Sequence, residues 1–245
     1  MTTGEPAGPD ALGGRLIELV QVMDTLRVNC PWDRRQTHAS LAPHLLEETY
    51  EALDALTGGD PAALREELGD VLLQVVFHAR IARERTDGTG YTIDDVAAGI
   101  TDKLKRRHPH VFGDVAVTGP DEVKRNWDSI KAAERAAKAG GGPVSALDGV
   151  PMSQPALSLA AQLLRRAQRA GAPPELRDAV PAAGDDPAAA AAAVSAGAGP
   201  GSDLGQELLA LVARAQAAGL DPELELRAAA RAYADRVRAW EASPT

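Results

Sequence analysis

Five carboxylates lie close together in the sequence, on two neighbouring segments whose apolar spacing predicts helices. Glu48 and Glu51 are separated by one helical turn in the first segment, and Glu67 and Asp70 have the same spacing in the second. Glu47 shares a face with Glu51, since residues three or four positions apart are neighbours on a helix surface. If the two helices pack antiparallel, these side chains converge on one spot. Such an all-oxygen site suits Mg²⁺ or Mn²⁺ rather than zinc.

The two helices differ in how strongly they predict a metal site. The glutamates of the first helix lie opposite its apolar side, where solvated surface charges are common. In the second helix a single polar stripe interrupts apolar residues that cover most of the circumference, and a helix of that kind is predicted to be buried. The stripe consists of Glu67, Asp70, Gln74 and His78. Because buried carboxylates are costly unless they are paired or bound to metal, the second helix favours metal binding.

Helix signals place these residues within an all-α chain. The turn Gly58–Pro61 ends one helix and starts the next, with Asp60 as the N-cap and Pro61 at the first helical position. Thr92 and Asp95 resemble a capping box, and the helix that they begin should end before Pro109. The predicted helices are 12–27, 41–56, 61 to about 85, 93–108, about 121–138, 156–170 and 203–241. An ordered loop, VNCPWDRRQTHAS, follows the first helix.

Two further groups of residues could contact a substrate. Lys103 and Arg107 share one helix face, and Trp127 and Lys131 share another. The basic side chains could bind phosphate, although basic residues at the end of a helix also complement the helix dipole. A tryptophan such as Trp127 is more often a core residue than a ligand contact, although Lys131 one turn further on favours a pocket.

The loop that carries Cys30 permits two interpretations. Cys30 could be a nucleophile with His38 as its base, but a loop that shapes a pocket is the favoured reading. His78 could be a metal ligand or could support one, and the favoured reading is a satisfied core histidine.

Composition narrows the function classes. The net charge of −9 over 245 residues argues against a surface that coats nucleic acid. The one cysteine excludes an intramolecular disulfide and fits a reducing cytoplasm. The amino terminus lacks the pattern of a signal peptide, and no apolar run is long enough to span a bilayer. These observations predict a cytoplasmic protein without membrane or nucleic-acid partners.

Several ordered blocks resemble the MazG family of nucleoside triphosphate pyrophosphohydrolases, within the all-α NTP pyrophosphatase superfamily. The resemblance extends from about Leu16 to Lys138. Its blocks are CPWDRRQTH, LLEETYEAL, EELGDVLLQVVFHA, KLKRRHPHVFGD and WDSIKAAE. The resemblance implies a helical bundle that forms a homodimer, and Mg²⁺-dependent cleavage of (d)NTPs between the α and β phosphates.

The resemblance also implies a role for each site residue. The metal ligands would be Glu48, Glu51, Glu67 and Asp70. Glu47 and Glu48 would be the catalytic residues, with Glu47 orienting or deprotonating water. The nucleotide and its phosphates would be contacted by Lys103, Arg107, Trp127 and Lys131. The alternatives are a narrower enzyme, acting on phosphoribosyl-ATP or on dUTP and dCTP, and a non-catalytic dimeric regulatory bundle.

The predicted domains follow from the resemblance and from composition. A disordered segment, 1–11, precedes a catalytic domain, 12–138, and a linker, 139–155. Residues 156–245 are interpreted as a degenerate second copy with a low-complexity insert at about 172–202. Asp203 and Gln206 stand there in the acid positions, but no Glu-Glu-x-x-Glu motif precedes them, so this copy is predicted to be catalytically silent.

Overall fold

The fold is all-α, as predicted. A computed structural model describes residues 13–138, 145–173 and 203–242, and over these ranges every regular element is a helix. The α-helices are α1 (Gly14–Asn29), α2 (His38–Gly58), α3 (Pro61–Ala82), α4 (Ile93–Arg107), α5 (Pro109–Phe112), α6 (Pro120–Lys138), α7 (Ala156–Arg169), α8 (Asp203–Ala217) and α9 (Pro222–Glu241), and a 3₁₀-helix spans Asp33–Arg35. Within the described ranges no helix is both long and apolar enough to cross a membrane.

The chain divides into two compact units, Met1–Trp127 and Asp128–Thr245. The boundary falls inside α6, which the sequence assigned wholly to the first domain. The predicted limits of 12–138 and 156–245 therefore stay predictions. The segment 1–11 and most of the insert predicted at about 172–202 lie outside the described residues.

The centre of the first unit is the antiparallel hairpin of α2 and α3. Gly59 ends α2 with a φ of 72°, in the left-handed region that favours glycine. Asp60 caps α3, because its side chain accepts a hydrogen bond of 2.8 Å from the backbone N–H of Ala62, and Pro61 occupies the first helical position. Both predictions for this turn are confirmed. The short connection brings the carboxylate-bearing segments of the two helices side by side.

The start of α2 differs from the prediction. Helix α2 begins at His38 rather than Leu41, because Thr37 and Ser40 form a reciprocal capping box. The hydroxyl of Thr37 accepts a hydrogen bond from the N–H of Ser40, and the hydroxyl of Ser40 accepts one from the N–H of Thr37. The predicted box of Thr92 and Asp95 at the start of α4 is confirmed.

Helix α3 is not buried all round within the chain, contrary to the prediction. One side contributes Val76, Phe77 and Ile81 to a core that also contains Met23 and Leu41. On another side Leu68 is 53% exposed and Val75 is 38% exposed. The contacts with α1, α2 and α4 cover only part of the helix surface. Part of the apolar surface of α3 is therefore exposed in the single chain.

A buried arginine joins α1, the turn after α3 and the loop before α2. Arg27 is 8% exposed and donates two hydrogen bonds of 2.8 Å to the carboxylate of Glu84. Its guanidinium also donates to the backbone carbonyls of Asp33 and Gln36. The Arg27 contact holds the pKa of Glu84 below its usual range. One side chain thus fixes the loop that carries Cys30 and Trp32.

The second unit contains α7, α8 and α9, which pack against one another. The sequence predicted helix over 203–241 without a break, and that prediction is wrong at residues 218–221. Gly219 adopts a φ of 75°, and Asp221 then caps a new helix that has Pro222 at its first position. The segment is therefore two helices.

Replacing Arg27 by methionine should destabilise the protein by about 3 kcal/mol, because a half-exposed carboxylate and two carbonyls lose a buried partner. Arg15→Met is the control, since Arg15 forms an exposed ion pair with Glu18 and should contribute about 0.5 kcal/mol or less. Urea denaturation measures both variants. Equal midpoints for the two variants would contradict the assigned role of Arg27.

Candidate metal centre

Three carboxylates from α2 and α3 meet in the first unit. One oxygen each from Glu48, Glu67 and Asp70 lies within 4.8 Å of the other two. All three residues are partly buried. The hairpin places Glu48 of α2 beside Glu67 and Asp70, which are one turn apart on α3. The predicted convergence of the two segments is therefore present in the fold.

Glu51 lies beside this group, although its oxygens do not meet the same distance limit. The pKa of Glu48 is raised by burial, by the charge of Asp70 and by a hydrogen bond with Glu51. The pKa of Glu67 is also raised, by burial first and then by the charges of Glu51 and Asp70. Glu51 therefore interacts with carboxylates on both helices. We call Glu48, Glu51, Glu67 and Asp70 the carboxylate cluster.

The electrostatics of the carboxylate cluster favour a bound cation. Burial disfavours the charged form of a carboxyl group, and so do like charges held nearby, which is why the pKa values of Glu48 and Glu67 rise. A divalent cation reverses that effect, since it attracts each carboxylate more strongly than the neighbouring carboxylates repel it.

Glu47 lies at the edge of the carboxylate cluster. Its side chain is 64% exposed, and Oε2 lies 3.7 Å from Nδ1 of His44. Its charge contributes to the raised pKa of Glu48. Glu47 is therefore close enough to the cluster to influence it, while its carboxylate stays accessible to water.

The polar stripe of α3 continues beyond Asp70 through Gln74 and His78. Gln74 is 5% exposed, and its side-chain oxygen has no hydrogen-bond partner within the described part of the chain. Nδ1 of His78 lies 2.8 Å from Nδ1 of His38, and the two rings are stacked. Burial and the neighbouring His38 lower the pKa of His78. His78 therefore pairs with another histidine rather than with the carboxylate cluster.

The predicted nucleotide contacts lie on other helices than the carboxylates. Lys103 and Arg107 are on α4, and Trp127 and Lys131 are on α6. The guanidinium carbon of Arg107 lies 6.0 Å from the ring centroid of Trp127. The structure therefore brings Arg107 and Trp127 together. Lys103 is exposed one turn before Arg107, and Lys131 is half-buried one turn after Trp127.

Sequence reasoning did not select His108, which packs beside Trp127. The two ring centroids are 4.7 Å apart at an interplanar angle of 90°. Nδ1 of His108 lies 2.7 Å from the carbonyl oxygen of Leu104, so it donates to the end of α4. A histidine directly after a basic helix end was the available signal.

Comparison with known proteins identifies the family to which the helices of the carboxylate cluster belong. The model of the MazG nucleotide pyrophosphohydrolase domain matches residues 36–112, which include the whole carboxylate cluster. An uncharacterised 26.1 kDa protein of Streptomyces cacaoi is 43% identical over 236 residues, covering 96% of this chain and 86% of that protein. The chain belongs to the MazG family. The family model describes a nucleotide pyrophosphohydrolase domain, and that domain begins just before α2 and ends with α5.

Two named relatives of this MazG-family chain are longer proteins. The nucleoside triphosphate pyrophosphohydrolase of Mycobacterium tuberculosis is 46% identical over 171 residues, covering 69% of this chain and 50% of that protein. The enzyme of the same name from Escherichia coli K12 is 46% identical over 157 residues, covering 64% and 57%. The chain thus spans about half the length of these two relatives.

Neutralising one carboxylate should stabilise the metal-free protein. Because the pKa of Glu67 is raised on folding, its ionisation costs stability as the pH rises from below its usual value through the raised value. At pH 7 without metal, Glu67→Gln should therefore melt at a higher temperature than the unmodified protein. The difference should shrink as the pH falls below the usual glutamate pKa.

Asp114→Asn is the control for this prediction, since it makes the same charge change at an exposed position. Thermal melting followed by circular dichroism measures all three proteins in the presence of a chelator. An unchanged or lower melting temperature for Glu67→Gln at pH 7 would contradict the repulsion described for the carboxylate cluster.

Proposed function

We propose that this chain is a Mg²⁺-dependent nucleoside triphosphate pyrophosphohydrolase. It hydrolyses (d)NTPs between the α and β phosphates and releases a nucleoside monophosphate and pyrophosphate. The observation that carries the proposal is the meeting of Glu48, Glu67 and Asp70 oxygens within 4.8 Å, inside the segment matched by the MazG domain model. The names of the M. tuberculosis and E. coli relatives support the same reaction.

The donor set fits Mg²⁺. Oxygens at about 2.1 Å from an octahedral ion lie about 3 to 4.2 Å apart, so a separation within 4.8 Å needs little side-chain movement. Glu51 supplies a fourth carboxylate beside the other three. Mn²⁺ accepts the same oxygen ligands and is a possible substitute. The four carboxylates of the cluster would hold the ion.

The chain's own residues would then divide the chemistry. Mg²⁺, when bound, lowers the pKa of water and neutralises phosphate charge. The exposed carboxylate of Glu47 would orient the attacking water or accept its proton. Glu48 would help to orient the same water from within the carboxylate cluster. The water oxygen bonds to the α-phosphorus in line, and the bond from that phosphorus to the bridging oxygen breaks.

The leaving pyrophosphate carries negative charge that basic side chains would stabilise. Lys103 and Arg107 on α4 and Lys131 on α6 are proposed for this role. Trp127 is proposed to contact the nucleotide, since its ring already packs against the guanidinium of Arg107. The carboxylate cluster would hold the metal, and these residues would bind the rest of the substrate.

The reaction is tested by its products. Incubation with ATP, dGTP or dUTP and Mg²⁺ should yield pyrophosphate and monophosphate, measured by ³¹P NMR. Glu67→Ala and Asp70→Ala should abolish turnover while the helical circular dichroism spectrum stays unchanged. Release of orthophosphate from wild type would contradict α–β cleavage, and full activity of either variant would contradict the metal assignment.

We also propose that the chain forms a homodimer through apolar residues that a single copy leaves exposed. Leu68 and Val75 on α3 are exposed, and so are Val96, Ile100 and Leu104, which lie at four-residue spacing on α4. Exposed large apolar side chains at helical spacing favour an interaction surface. We place this dimer in the cytoplasm, where nucleoside triphosphates are used and where the single cysteine would stay reduced.

The dimer is tested by placing a charge on this face. Multi-angle light scattering should give about twice the chain mass of 25.5 kDa for the unmodified protein. Ile100→Asp should shift the mass to that of one chain, because a buried unpaired carboxylate is costly. Thr101→Asp is the control, since it adds the same charge at the neighbouring exposed position away from the stripe. A monomeric wild-type protein would refute the proposal.

A further inference from the structure

An exposed tryptophan is held in a defined orientation beside the two carboxylate helices. Trp32 follows Cys30 and Pro31 in the loop before α2 and is 53% exposed. Its ring centroid lies 6.1 Å from that of His44 on α2, at an interplanar angle of 70°. It also lies 6.4 Å from the ring of Phe77 on α3, at 62°. Edge contacts with both helices thus leave much of the indole open to solvent.

Hydrogen bonds from Arg27 and Gln36 hold the loop that carries Trp32. Arg27 donates to the carbonyl of Asp33, the next residue, and to the carbonyl of Gln36. The side-chain amide of Gln36 in turn donates a hydrogen bond of 3.1 Å to the carbonyl of Trp32. Asp33 is itself buried. An aromatic side chain that is both exposed and pre-organised in this way is suited to bind a planar ligand, since little conformational entropy is lost on binding.

Trp32 lies near the carboxylate cluster. His44, which it contacts, is one helical turn before Glu48 on α2. Phe77, its other contact, is two turns beyond Asp70 on α3, a rise of about 10 Å along the helix. A triphosphate bound at the cluster would therefore have its nucleoside within reach of the indole.

A second observation points to a ligand between these two positions. Gln74 lies one turn beyond Asp70 and one turn before Phe77 on α3. It is 5% exposed, and its side-chain oxygen lacks a hydrogen-bond partner in the part of the chain described. A buried acceptor of this kind is costly unless a donor reaches it. The hydroxyl of a sugar or the amino group of a base is such a donor.

We propose that Trp32 is the stacking platform for the base of the nucleotide substrate, with Gln74 accepting a hydrogen bond from the nucleoside. The inference rests on the proposed function and assigns a base-binding residue, Trp32, to the same site. Stacking uses the π-face that every base has, so this platform accepts purines and pyrimidines alike.

The test compares ligands with and without a nucleoside. Calorimetric titration in Mg²⁺ measures the Kd of a non-hydrolysable α,β-methylene nucleoside triphosphate and of inorganic tripolyphosphate. Trp32→Ala should weaken binding of the nucleotide analogue about tenfold or more, the usual effect of removing a stacking partner, and should leave tripolyphosphate binding unchanged. Trp32→Phe should restore most of the lost affinity. Trp240→Ala is the control, because Trp240 is 75% exposed on α9 and should change neither Kd.

Four results would overturn the assignment. In Trp32→Ala, two of these results are equally weakened binding of both ligands and unchanged binding of the analogue. The third is a change of molecular mass in that variant, which would place Trp32 between copies of the chain. The fourth is a wild-type protein that binds the analogue no more tightly than tripolyphosphate. The outcome is separate from that of the proposed reaction. A protein that binds the analogue through Trp32 but releases no pyrophosphate from NTPs would refute the reaction and retain the platform.

Discussion

The crowding of partly buried carboxylates on α2 and α3 is the constraint on which the rest of this structure depends. Burial and neighbouring negative charge raise the pKa of both Glu48 and Glu67, so bringing these groups together costs free energy in the absence of a cation. Other interactions must hold the two helices in place against that cost. A bound divalent ion would turn the same arrangement from a source of instability into a binding site.

The remainder of the first unit supplies those interactions. The capped turn at Gly59–Pro61 sets the two helices side by side, and Phe77 and Ile81 anchor α3 in the core. Arg27 ties α1 to Glu84 and to the loop before α2. The site therefore lies on two rigid helices rather than on loops, which suits a function that needs ligands placed within a fraction of an ångström.

Local sequence patterns were sufficient to predict the features that depend on neighbouring residues. The spacing of Glu67 and Asp70, the cap at Asp60 and the box at Thr92 all act within about one helical turn. The capping box of Thr37 and Ser40 is equally local. Pro31 and Asp33 just before it favour a loop, however, so the sequence predicts that α2 begins three residues later.

Features that depend on distant residues could not be predicted from the sequence. Nothing near Arg27 in the sequence indicates its contact with Glu84, and nothing near Trp32 indicates its contacts with His44 and Phe77. The apolar pattern of α3 predicted burial without saying what covers each side, so the exposure of Leu68 was missed.

The most direct test of the central claim is crystallography of the protein with Mn²⁺, using anomalous scattering to locate the ion. The account predicts an anomalous peak within coordination distance of carboxylate oxygens from Glu48, Glu67 and Asp70, with the peak lost in Glu67→Gln. A peak at another position, or none at millimolar Mn²⁺, would contradict it.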